Sequence, residues 1–91
     1  MREQKVIAVV AAVVATGINL SSARNVAELK TVAEAESWRD ADPAIARLGR
    51  AGQILAYPYR NGIRLPGWGN WGLPNVRVAA SRLLNQPANE A

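Results

Sequence analysis

The chain has no cysteine, no histidine and no phenylalanine, and a single methionine. Without Cys there are no disulfide staples, thiolate metal sites or Cys nucleophiles. Without His the commonest metal ligand and the usual general base near neutral pH are gone. Aromatics make up only 5% of residues, although the hydrophobic fraction is 49%. Seventeen Ala and nine Val supply more than half of that fraction, and alanine buries little area per residue. Internal repeats and coiled-coil heptads are also absent. What remains is 91 residues and 9.8 kDa, enough for one small domain that buries roughly 60–65% of its unfolded surface. The composition therefore predicts little independent core, most of the burial coming from neighbours, and the segments that follow predict a mainly α fold: an N-terminal apolar helix, two short middle helices, a Gly/Pro/Trp loop and a C-terminal helix.

Eleven basic residues against seven acidic give a net charge of +4 and a pI near 10.4, which permits anionic partners without naming one. The distribution is more telling than the total. Residues 1–42 carry five basic and six acidic side chains, whereas residues 43–91 carry six Arg and only Glu90. Arg presents a planar fork of donors suited to carboxylate and phosphate, where Lys is a point charge. Nine Arg against two Lys beside abundant Ala is also what GC-rich coding produces, so Arg type alone decides nothing.

Residues 1–23 form the first segment. An apolar run, VIAVVAAVVATGINL, extends from Val6 to Leu20 behind Arg2 and Lys5. As a helix it reaches about 22 Å, short of the ~30 Å hydrocarbon core. Its length matches the apolar region of a secretory signal, with Ser21 and Ala23 as the small pair before Arg24. Retained, it is a signal-anchor or a helix buried in an assembly. If it inserts, Arg2 and Lys5 hold the N-terminus on the cytoplasmic side and the basic half lies opposite. Ala8, Ala11, Ala12 and Ala15 share one helical face, a small-residue stripe that lets backbones approach closely. A buried strand over KVIAVVAA is the competing local reading, but no second strand of that quality follows.

Residues 24–56 read as helical. Asn25 and Glu28 have capping-box spacing, predicting a helix from Val26 to Arg39 with Val26, Leu29, Val32, Ala33 and Trp38 inward. Asp42 as N-cap and Pro43 at the first position predict a second helix to Ala56, with Ile45, Leu48 and Leu55 as its stripe. Gly49 and Gly52 weaken that helix by about 1 kcal/mol each. Glu28, Glu34, Glu36, Asp40 and Asp42 are the only acids in this segment. Without His, Cys or a convergent partner, they read as a solvated face and not as a metal or acid/base site.

Residues 57–74, YPYRNGIRLPGWGNWGLP, hold four Gly, three Pro and four of the five aromatics. Asn61-Gly62 is a hairpin-turn signal whose arms Pro58 and Pro66 keep short. Gly67, Gly69 and Gly72 match a phosphate-loop spacing superficially, but Pro66 and the bulky Trp residues oppose that reading. The segment reads as an Arg/Trp loop. Residues 75–91 begin with a helix opened by Pro74 and Asn75 and running to Asn85, with Val76, Ala79, Ala80 and Leu83 on one face, followed by a loose tail. Aromatics interleaved with Arg serve at a bilayer surface, on single-stranded nucleic acid or at a protein interface. Trp68 and Trp71 plugging the domain's own core is the plainest alternative.

These features converge on a non-enzymatic structural or accessory subunit of a larger assembly, a membrane complex or a virion. It would be inserted by its N-terminal helix and docked through the loop by Tyr57, Tyr59, Arg60, Arg64, Trp68 and Trp71. A larger protein assembly and a lipid bilayer are the expected partners, with nucleic acid ranked behind them, and no cofactor is expected. The location follows as membrane-associated or within a virion. One alternative is a small exported binding protein of 68 residues beginning at Arg24; another is a basic structural protein contacting nucleic acid.

Overall fold

Helix α1 (Arg2–Val14) opens a chain of five helices: α2 (Ala23–Glu34), α3 (Trp38–Arg47), α4 (Arg50–Arg60) and α5 (Leu73–Leu84). The computed structural model describes residues 2–60 and 72–85, and no strand occurs among them. The mainly α expectation therefore holds, and the strand reading of KVIAVVAA gives way to α1. That helix is shorter than the apolar run. Thr16 Oγ1 donates to the Val13 carbonyl at 2.7 Å and Gly17 adopts φ +79°, which closes the helix at Val14. Thirteen residues reach about 20 Å, and no described helix is long and apolar enough to cross a membrane.

The helical period of α1 offers two apolar faces, and burial separates them. Val6, Val9, Val10 and Val13 are buried, whereas Ala8, Ala11, Ala12 and Ala15 are exposed. Turning Val inward removes more apolar area from water than turning Ala inward would. Within this chain α1 thus packs through its Val face, on α4 and α5, and the alanine stripe looks outward.

Two helix boundaries lie elsewhere than the sequence suggested, because two serines cap ahead of the expected residues. Ser22 Oγ accepts from the Asn25 N–H at 3.1 Å and starts α2 at Ala23. Ala35 is extended at φ −66°, ψ 136°, so α2 ends at Glu34 and the expected single helix to Arg39 is broken. Ser37 then caps α3, its Oγ accepting from the Asp40 N–H at 3.3 Å. Pro43, expected at the start of that helix, lies inside it. Placed six residues in, it leaves the Arg39 carbonyl without its usual intrahelical donor. The expected helix to Ala56 is likewise divided, since Gly49 takes φ +65° between α3 and α4. Only glycine adopts that conformation freely. Its carbonyl accepts from the Gln53 N–H at 2.9 Å, so the same residue ends one helix and starts the next.

Gly52 is required by packing. A Cβ there would overlap the Ile45 carbonyl oxygen and stand 2.8 Å from its carbon. The glycine lets the first turn of α4 lie directly on α3. The same close approach recurs through the core: of eighteen buried hydrophobic residues among those described, seven are Ala. Leu29, Ile45, Leu55, Val6, Val13, Val32 and Val76 fill the space between them. The chain therefore has a core of its own, against the expectation of little independent core. Small residues bring the helices close enough for medium-sized ones to meet. A radius of gyration of 12.1 Å matches the about 12 Å of a compact domain of this length.

Helix α5 joins the layers, packing on α1, α2 and α4. It is opened by Gly72 as N-cap with Pro74 in its first turn, and it buries Val76, Ala79, Ala80 and Leu83 as the period predicts. The stripe of Ile45, Leu48 and Leu55 is buried as expected, and Trp38 is partly buried against the same cluster.

Candidate functional site

The outer face of α1 is the first feature. No charged residue occurs from Val6 to Leu20, so beyond the charged first turn the solvent side of this helix shows Ile7, Ala8, Ala11, Ala12 and Val14, continued by Ala15. Ile7 is 52% and Val14 42% exposed. Exposed single apolar residues are ordinary; here Ile7 and Val14 are joined by exposed alanines into one uncharged strip. The four alanines chosen from sequence all lie on it, and they leave it shallow between the larger Ile7 and Val14.

The expected interaction residues fall into two groups. Tyr57, Tyr59 and Arg60 belong to the last turns of α4 and not to a loop, since that helix continues to Arg60. Pro58 has no N–H to offer the Ile54 carbonyl, yet the helix continues to Arg60, past the break that Pro58 and the aromatics suggested. Arg64, Trp68 and Trp71, the Asn61-Gly62 turn signal, the glycine spacing from Gly67 and the tail after Asn85 lie outside the described residues.

The acidic residues are dispersed. Glu28, half-buried, meets the exposed Arg47 at 3.6 Å across α2 and α3. Glu34, Glu36, Asp40 and Asp42 are exposed. Among the described residues no group of three His, Cys, Asp or Glu is placed to hold a metal ion.

A second feature had no signal in the sequence. The Arg77 Nε donates to the Ala33 carbonyl at 3.2 Å, joining α5 to the end of α2 across 44 residues of chain. This carbonyl is among the last four of α2, which have no partner within the helix, and a cation there also meets the negative end of the helix dipole. Beside this contact lies an open groove of about 350 Å³ lined by Ala33, Pro74, Arg77, Val78 and Ser81. Its apolar lining includes Val78, which is 39% exposed. Arg77 and Ser81 stand one turn apart on α5 and so share a face. Arg77 was legible only as a residue off the buried stripe of the last helix; its partner was not.

Comparison with protein-family models, with curated proteins and with solved structures finds no match to this chain.

Proposed function

We propose that the protein is a non-enzymatic structural subunit of a larger assembly, a membrane complex or a virion, covered in that assembly along the outer face of α1. The observation that carries the reading is the two-sided apolar character of this helix. One face supplies Val6, Val9, Val10 and Val13 to the domain's own core, and the other exposes Ile7, the four alanines and Val14 without a charge. Beyond its charged first turn, with Arg2, Glu3 and Lys5, this helix is apolar on both sides, and a segment apolar all round is normally a buried one. Small residues on the outer side suit close contact with a neighbouring helix, whether in protein or in a bilayer environment. The segment from Tyr57 to Pro74, with Arg60, Arg64, Trp68 and Trp71, is the second docking element in this reading, because Trp, Tyr and Arg are the residue types that anchor interfaces.

The exported alternative, cleaved before Arg24, would remove α1 and with it four buried valines that pack on α4 and α5. The fold thus favours retention of residues 1–23. Intact mass and sedimentation of the protein taken from the cells that make it test the proposal. It predicts a full-length chain co-sedimenting with a particle many times its own 9.8 kDa. A chain beginning at Arg24, or a free monomer, overturns it.

A further inference from the structure

The open groove between α2 and α5 has one cationic side chain, Arg77, in its lining. Arg77 is held by its Nε at the Ala33 carbonyl, and a guanidinium has five N–H donors in a planar fork. Fixing one of them orients the remaining edge before any ligand arrives, which cuts the ordering cost of binding. Ser81, one turn further along α5, brings a hydroxyl to the same wall, while Ala33, Pro74 and Val78 supply apolar surface. The groove, of about 350 Å³, is shallow and open, with Pro74, Arg77, Val78 and Ser81 all exposed, so it suits one side chain of a segment lying along the surface and not an enclosed small molecule.

The charge pattern selects the ligand. Helix α5 carries Arg77 and Arg82 and no acidic residue, and no carboxylate among the described residues is paired with Arg77. Glu34, next in sequence to Ala33, is exposed, and this single negative charge at the end of α2 disfavours a run of acids over a lone one. None of the five lining residues is aromatic, so the groove offers no platform for a base. We infer that it receives a single Asp or Glu side chain, flanked by apolar residues, from a peptide segment of a partner protein. The carboxylate accepts from the free edge of Arg77 and from Ser81 Oγ, and the flanking residue lies on Val78 and Pro74. This inference takes its partner from the assembly reading above, but its test does not involve α1.

The test uses the full-length protein labelled with nitrogen-15. The probe is the capped peptide acetyl-Ala-Leu-Asp-Ala-Leu-amide, followed through the Arg77 Nε–H signal and the amides of Val78 and Ser81. Saturable shifts at these three positions are expected, with binding at least about tenfold weaker for the Asn version, since a hydrogen bond to a charged group is the stronger kind. Ser81→Ala should weaken binding several-fold without altering the helical circular dichroism, which keeps the test valid if Arg77→Gln loosens the fold. No shift at millimolar peptide, or equal binding of the Asn version, overturns the inference. So does preferential binding of single-stranded hexathymidylate, which would mark a phosphate site. A shift of the Arg77 signal on Glu90→Gln alone, with no peptide effect, would assign the groove to the chain's own tail. A groove that fails while the chain still co-sediments refutes this inference only; a groove that binds in a chain that sediments alone refutes the assembly reading only.

Discussion

Replacing Gly52 by Ala sets two effects of known size against each other. In a helix interior the change from Gly to Ala gains about 1 kcal/mol from backbone entropy. At this position the added Cβ would overlap the Ile45 carbonyl oxygen, with the carbonyl carbon 2.8 Å away and Ile45 Cγ2 at 3.1 Å. The side-chain methyl can turn aside, but the backbone cannot. Relief therefore requires α4 to lift from α3, loosening Ile45, Leu48, Ala51 and Leu55, all buried. Overpacking of this kind costs typically about 1–3 kcal/mol, occasionally more. Backbone overlap places Gly52→Ala at the upper end, so a net loss of about 1–2 kcal/mol is expected. For a domain of this size that lowers the melting temperature by about 4–8 °C per kcal/mol. Urea denaturation followed by far-ultraviolet circular dichroism measures it directly. A Gly52→Ala protein as stable as the parent, or more stable, would refute the close seating of α4 on α3.

Gly49 makes the contrasting case: at φ +65° with nothing within 4 Å of an added Cβ, Gly49→Ala should cost about 1–2 kcal/mol from the backbone alone, and Gly49→Asn should recover much of it on thermal melting. Val13, 1% exposed, faces the core, so Val13→Ala should lose about 2 kcal/mol from two methyl groups and the space they leave; an unchanged urea midpoint would place that face of α1 outside the core. Ser22→Ala and Ser37→Ala each remove a cap and should cost about 1 kcal/mol, read as a lower melting temperature, with Thr at either position restoring most of the loss.

The sequence displayed its helical faces more clearly than its helix ends. Ile45, Leu48 and Leu55, and Val76, Ala79, Ala80 and Leu83, recur at helical spacing, and packing confirms each stripe because burial is what that periodicity reflects. The ends depended on which of several polar residues takes the cap. Asn25 with Glu28, and Asp42 with Pro43, are sound signals, yet Ser22 and Ser37 stand ahead of them and win; once Ser37 caps, Asp42 falls within the helix. On α1 both the alanine and the valine faces have the right period, and only tertiary packing decides that valine turns inward. The groove was out of reach for a different reason. Ala33 and Arg77 acquire meaning only when α5 is laid against α2, and no local pattern encodes that pairing.

One face of α1 packs in the domain's own core, and in the proposed function the other is covered by the assembly. Ala11 is exposed at the middle of that outer face, so Ala11→Lys should leave folding within about 0.5 kcal/mol, as surface substitutions do, while burying an unpaired ammonium in any interface formed there. Sedimentation of Ala11→Lys protein from the cells that make it, alongside the parent, is the direct measurement. The expected result is a folded variant that leaves the large particle and sediments as a free chain. A folded variant that stays with the particle as the parent does would contradict it.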